Sequence, residues 1–287
     1  MSRWSARRDR FRAVLQGARC IHPASVFDPV SARIAEDLGF EAGMFAGSIA
    51  SLTVLGAPDI IVLTLSEFAE QAHRICRAGS LPLLCDADHG YGNALNVMRT
   101  VEELEAAGVA ALSIEDTDLP QPHGTGGKAR LLSIEEGTGK MRAAVAARGD
   151  TGVMIAGRTS APGMTGVADA VERARAYEAC GVDALFFVGV KTRQDLDAIA
   201  AATSLPLILG SVSKDLMDLE YLSSRRVRVC LQGHQPFMAA VQAVQNTLQA
   251  LRDGTPASQL QGVADDALMK RVMRDADYTG RMKDWLG

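Results

Sequence analysis

Short apolar runs alternate with longer amphipathic runs along the chain, and the alternation occurs eight times. The apolar runs predict strands at Arg19–Ala24, Ala42–Gly47, Leu81–Asp88, Ala111–Asp116, Val153–Arg158, Ala184–Gly189, Pro206–Ser211 and Val227–Gly233. They are nearly continuous in apolar residues, the pattern of strands buried on both faces. The intervening runs predict helices at Pro29–Leu38, Ser66–Ala78, Ala94–Ala107, Ile134–Ala147, Val167–Ala179, Arg193–Ala202, Lys214–Leu222 and Pro236–Leu251. In the third of these, Val97, Val101, Leu104 and Ala107 fall close to one face of a 3.6-residue repeat. The segments DLGF, RAGS, AAGV, ARGD and ACGV each place glycine after an alanine- or charge-rich run, a helix-stop signature.

Alternating strand–helix units imply a parallel sheet, and eight of them predict a closed (β/α)8 barrel of the TIM type. An open doubly wound sheet is the alternative. It would carry a glycine-rich phosphate turn after its first strand, where this chain has HPASVFDP. No Pro/Gly/Ser-rich linker divides the chain, so residues 1–287 are expected to form one barrel domain with short helical extensions at both ends. The loosest stretch is DLPQPHGTGGKARL, residues 118–131, which follows the fourth strand and would suit a lid.

Composition narrows the class. At 287 residues and 47% hydrophobic, the chain is long enough for one large core, and a net charge of −4 gives no basic balance for nucleic acid. Arg3, Arg7, Arg8, Arg10 and Arg12 make one basic cluster, expected as a solvated first helix. No apolar run is long enough to cross a bilayer, and no secretory signal pattern follows the arginines. Cys20, Cys76, Cys85, Cys180 and Cys230 are scattered without CxxC spacing, so a reduced, cytoplasmic chain is expected rather than a disulfide framework or a zinc site.

In a barrel the active site forms where strands lead into helices. The polar residues there are Ser48 after Gly47, then Asp86, Asp88 and His89, then Glu115 and Asp116, then Arg158, Thr159 and Ser160, and finally Ser211 and His234. Asp86 and Asp88 are two apart and point to one side of an extended strand, with Glu115 on its neighbour. Three carboxylates facing one volume repel unless a cation is present, and hard oxygen ligands favour Mg²⁺ or Mn²⁺. Arg158 would then clamp a substrate carboxylate. The DxD pair alone is a weak signal, because Asp88 equally suits a helix N-cap. His234 suits either a site or a helix start, Ser48 either a site or a tight turn, and His22 and His73 read as structural.

The run CDADHGYGNALNVMRTVEELEAAGVAALSIEDT resembles the isocitrate lyase/phosphoenolpyruvate mutase superfamily, with support from SVFDPVSARIAEDLGFEAGMFAGSIAS, IAGRTSA and LQGH. The resemblance spans roughly residues 20–245, and His89 after the second aspartate looks most like the oxaloacetate decarboxylase group. It implies a barrel that assembles as a homotetramer, exchanging its last barrel helix between subunits. It further implies that Asp86 contacts Mg²⁺ while Asp88 and Glu115 reach it largely through water. Ser48 and amides near Gly47 would hold a substrate carboxylate, Arg158 and His234 the substrate oxygens, and Asp59 would stand near the site. Lyases of the superfamily that cleave isocitrate carry a Lys-Lys-Cys-Gly-His loop after the fourth strand. Residues 118–130 hold His123 and Lys128 but no cysteine, which points to decarboxylation of oxaloacetate to pyruvate. Ser160 and the LGSVSK segment depart from the group's usual residues. A lyase or phosphonopyruvate-type enzyme for another 2-oxo or 2-hydroxy acid, and a keto-acid binder without turnover, are the alternatives.

Overall fold

The computed structural model of the chain describes residues 4–149 and 152–287. Eight strands follow one another around a single parallel sheet: β1 (Ala24–Ser25), β2 (Gly43–Ala46), β3 (Leu83–Asp86), β4 (Ala111–Glu115), β5 (Met154–Thr159), β6 (Ala184–Phe187), β7 (Leu207–Leu209) and β8 (Val227–Cys230). A parallel bridge between Ile21 and Val229 joins the segment before β1 to β8. The Ile21 N–H donates to the Arg228 carbonyl and the Cys230 N–H to the Ile21 carbonyl, both at 2.9 Å. The sheet therefore closes into the predicted (β/α)8 barrel, and the open doubly wound alternative falls away.

The helices are α1 (Ser5–Gln16), α2 (Pro29–Asp37), α3 (Gly47–Ala50), α4 (Leu65–Ala78), α5 (Ala94–Ala107), α6 (Ile134–Ala147), α7 (Ala161–Met164), α8 (Val167–Glu178), α9 (Arg193–Ala201), α10 (Leu219–Ser224), α11 (Gln235–Arg252), α12 (Asp266–Met273) and α13 (Asp275–Leu286). None is long and apolar enough to cross a membrane.

Two apolar layers hold the barrel. Outward strand residues such as Leu83, Cys85, Leu112, Ile114, Leu185 and Phe187 pack against the helices. Inward residues Met44, Leu84, Ala111, Met154, Ala156, Phe186, Ile208 and Val229 fill the barrel, with Phe11 and Leu15 of α1 plugging its lower end. Strand side chains alternate faces, so every second residue continues up the same inner wall toward the site.

Several boundaries differ from the prediction. The first strand was expected at Arg19–Ala24 but ladders only at Ala24–Ser25. Pro23 has no N–H to offer the sheet, so Ile21 is left as a separate bridge. The expected helix at Lys214–Leu222 splits, because Asp218 accepts from the Glu220 and Tyr221 amides and starts α10 anew. Gly39, Gly108 and Gly181 adopt the left-handed conformation expected of helix stops, whereas Gly79 is extended.

The basic N-terminal cluster is only partly solvated, and Arg3 lies outside the described residues. Arg7 and Arg8 are buried in α1. Arg7 donates to the carbonyls of Cys76 (2.6 Å) and Gly108 (3.1 Å), and Arg8 to those of Glu105 (2.7 Å) and Val109 (3.1 Å). These carbonyls lie at the C-terminal ends of α4 and α5, where the last groups lack partners within the helix and the helix dipole is negative. Arg8→Met leaves such buried acceptors unpaired, and is expected to lower the unfolding free energy by about 1–3 kcal/mol in urea titrations. An unchanged midpoint would show the contacts to be incidental.

Candidate active site

Among the described residues the polar side chains of the inner wall on β3, β4 and β5 gather toward its upper end. On β3 the inward series runs Leu84, Asp86; on β4 it runs Ala111, Ser113, Glu115; on β5 it runs Met154, Ala156, Arg158. The register aligns Asp86 with Ser113 and Glu115 with Arg158. Neighbouring strands thus deliver donors beside acceptors. Ser113 Oγ donates to Asp86 Oδ1 at 2.9 Å. Arg158 Nη1 contacts Asp86 Oδ2, and Arg158 Nη2 lies 3.2 Å from Glu115 Oε2. Beneath the guanidinium, the Phe186 ring centroid is 5.3 Å from Arg158 Cζ.

These groups open into a pocket of about 610 Å³ at the C-terminal ends of the strands. Its polar lining includes Ser48, Asp59, Asp86, Asp88, Glu115, Arg158 and His234, and Phe186, Val188 and Leu231 form an apolar wall. The sequence-predicted residues therefore come together, with Gly47 directly behind Asp88. A Cβ at Gly47 would overlap the Asp88 carboxylate, so glycine makes room for that acid. Asp59 arrives on the loop after a π-helical turn at Ser51–Leu55, an element the periodicity does not reveal.

The N-cap reading of Asp88 does not hold. Helix α5 is capped by Asn93, whose side chain accepts from the Leu95 amide at 2.9 Å. Asp88 sits in the left-handed region at φ 48°, and the turn continues through Gly90 and Tyr91 with positive φ. This turn lifts Asp88 off the strand line and lays it against Gly47.

His89, its neighbour, is buried away from the pocket, with its carbonyl accepting from Lys140 Nζ at 2.7 Å. Burial, helped by Lys140, pulls the His89 imidazole down to about 4. Asp116 also turns outward from the barrel. It accepts from Tyr177 Oη at 2.6 Å and Arg173 Nη1 at 2.8 Å, while Arg173 Nη2 holds the Leu132 carbonyl at 3.0 Å. That network anchors the 118–131 loop, whose ends meet through Thr117 and Leu131. Leu119, Pro120 and Gln121 from this loop reach the pocket; His123, Lys128 and Ser160 are not part of its lining. His22 is structural as expected, its Nδ1 lying 2.8 Å from the Cys230 carbonyl oxygen.

Two serines complete the surroundings of His234. Ser25 Oγ is 2.8 Å from Nδ1 and Ser48 Oγ is 3.3 Å from Nε2. Ser25 escaped the sequence reading because the first strand was expected to end one residue earlier. Burial lowers the His234 pKa, with Asp86 and Asp59 opposing, so the ring is neutral near pH 7.

The acids are displaced the other way. Burial, then repulsion from Asp86 and Glu115, raises Asp88 well above the usual carboxylate range. Burial also raises Glu115 against the pull of Arg158, and raises Asp59 with Asp86 adding to it. For Arg158 the carboxylates more than offset its own burial and keep it charged. Surplus negative charge on hard oxygen donors fits a divalent cation such as Mg²⁺. Among the described residues no group of three or more His, Cys, Asp or Glu side chains is arranged to hold a metal ion by itself, so Asp86, Asp88 and Glu115 would need to shift or share the ion with substrate and water.

A carboxyl raised above its unfolded value of about 3.9 opposes folding when ionised. That opposition is complete above the folded pKa and fades as the pH falls through it toward the unfolded value. With chelator present, Asp88→Asn is expected to melt above wild type near pH 8, the gap closing toward about pH 4. Equal melting temperatures across that range would show that Asp88 carries no such strain.

The family model described as phosphoenolpyruvate phosphomutase matches residues 11–252. A curated relative from Rhodopseudomonas palustris (strain BisB18), named oxaloacetate decarboxylase, is 59% identical over 284 residues, covering 99% of this chain and 98% of its own. Among solved structures, oxaloacetate acetylhydrolase in complex with the inhibitor 3,3-difluorooxalacetate superposes with a TM-score of 0.85 at 27% identity, covering 98% of each chain. Phosphonopyruvate hydrolase in complex with oxalate and Mg²⁺ gives 0.84 at 28% identity, covering 98% of this chain and 99% of its own. With its barrel, its strand-end acids and these matches, the chain belongs to the phosphoenolpyruvate phosphomutase family, within the isocitrate lyase/phosphoenolpyruvate mutase superfamily.

Proposed function

We propose that this pocket decarboxylates oxaloacetate to pyruvate and CO₂. The observation that carries the reading is the arrangement of Arg158, Asp86 and Glu115 at one side of the pocket, with an apolar wall of Phe186, Val188 and Leu231 alongside. The whole-length relatives named oxaloacetate decarboxylase support it.

Breaking the C3–C4 bond of a β-keto acid sends an electron pair through C2 onto the C2 oxygen and releases neutral CO₂. Asp86, Asp88 and Glu115 would hold a divalent cation, Mg²⁺ or Mn²⁺, which would supply Lewis-acid stabilisation of that developing charge. Arg158 offers a fixed positive charge to the substrate's oxygens and His234 a neutral hydrogen-bonding edge. Ser48, at the start of α3 beside Gly47, holds the C1 carboxylate. The apolar wall disfavours the C4 carboxylate and suits the uncharged CO₂ that replaces it. Water then protonates C3, so no cysteine acid is required in the 118–130 loop. Asp59, on the loop after the π-helical turn, also lines the pocket.

The same reading extends to assembly. Helix α11 has no buried residue, and Met238, Val241, Val244 and Leu248 are exposed along it. A cleft of about 740 Å³ beside β1 and α2 is lined by Phe27, Ile34, Leu38 and Phe40. The two surfaces match if α11 is exchanged between subunits of a homotetramer. The free thiols, four of them buried, suit a reducing cytoplasm.

Pyruvate formation from oxaloacetate should saturate above the metal-only rate, and Asp86→Ala should abolish it. Full metal-dependent turnover in that variant would remove the proposal; acetate and oxalate as products would reassign it to hydrolysis. Val241→Glu with Leu248→Glu is expected to shift the sedimentation mass toward monomer. An unchanged mass would remove the exchange.

A further inference from the structure

We infer that Ser25 is a positioning residue that holds the His234 imidazole with its proton on Nε2, facing the substrate. The inference deepens the reading of the pocket given above.

Ser25 is almost fully buried, and its backbone is locked in the barrel ladder. The Ala24 N–H donates to Ala42 and the Val26 N–H to Met44, at 3.0 and 2.9 Å. The side chain therefore starts from a fixed point, opposite Met44 in the register. His234 is brought to it by the turn at Gly233, whose φ of +85° suits glycine.

A neutral imidazole has one N–H and one bare nitrogen, and the partner of one nitrogen sets the state of the other. Among the described residues the Ser25 hydroxyl meets one polar partner, Nδ1 at 2.8 Å. A largely buried hydroxyl with one protein acceptor in reach donates to it, because leaving that donor unpaired is costly. Nδ1 is then the acceptor and Nε2 carries the proton. The pocket favours the same choice. Asp59 and Asp86 share the pocket with this ring, and their negative charge attracts an N–H rather than a lone pair. Ser48 Oγ, 3.3 Å from Nε2, accepts loosely and yields to a substrate oxygen. The reverse tautomer would place a lone pair against the substrate's anionic oxygens.

Nitrogen NMR of the full-length protein labelled with ¹⁵N-histidine tests this without substrate. The chain has five histidines, and His234→Gln assigns the signal. The expected spectrum has Nε2 protonated and Nδ1 bare but hydrogen-bonded. A proton on Nδ1 would overturn the inference, whatever reaction the pocket performs. In Ser25→Ala the Nδ1 signal should move to its unbonded position, and Ser25→Thr should restore it. On oxaloacetate, Ser25→Ala should lower kcat about tenfold with KM nearly unchanged, milder than outright removal of an oxyanion donor. In His234→Gln, whose amide N–H takes the place of Nε2–H, adding Ser25→Ala should change kcat by less than about twofold. Equal losses in both backgrounds would make Ser25 merely structural and overturn the positioning role. Absence of turnover in wild type would remove the decarboxylase reading while the spectrum still decides the tautomer.

Discussion

Arg158 rises from β5 along the barrel axis and meets Asp86 and Glu115 with the two ends of one guanidinium. Without it, two carboxylates with little solvent around them would stand with no compensating charge, and Asp88 would face both. Removing one partner from a buried ion pair is destabilising by about 3–5 kcal/mol, because the remaining charge is left unpaired. The arginine neutralises part of the cluster and leaves the remainder as a surplus of negative charge. That surplus weighs against the fold by itself and is the charge that a divalent cation would answer.

The rest of the fold serves this geometry. Inward alternation on β3, β4 and β5 carries all three partners toward the site, and the strand register sets Glu115 opposite Arg158 and Asp86 opposite Ser113. A second set of contacts holds the frame from outside the barrel. Lys140 secures the turn carrying Asp88 through the His89 carbonyl, while Arg173 and Tyr177 grip Asp116, next to Glu115. Asp88 and Glu115 therefore each have a tethered neighbour in the chain. Asp86, Glu115 and Arg158 stand on strands and Ser48 on α3, while Asp59, Asp88, His234 and the 118–131 segment come from loops and turns.

Much of this was legible from residue order. The eight apolar runs located the strands, and strand ends named Asp86, Asp88, Glu115, Arg158 and His234. What stayed hidden depended on contacts between distant residues. Arg7 and Arg8 read as solvated because charge along a helix does not reveal carbonyls a hundred residues away. Asp88 resembled a helix cap until Asn93 was seen in that role. Ser25 was missed by one residue, since Pro23 divides the first strand and moves its ladder toward β2. The departure of Asp116 from the pocket required the positions of Arg173 and Tyr177, which no local pattern discloses.

The measurement that bears most directly on this account is the thermal shift produced by saturating Mg²⁺ in wild type and in Arg158→Met. If Arg158 balances the carboxylate cluster, the variant melts lower than wild type in chelator, and Mg²⁺ raises its melting temperature by more than it raises that of wild type. Equal shifts in the two proteins, with similar melting temperatures in chelator, would contradict the claim that this arginine and a divalent cation answer the same surplus of charge.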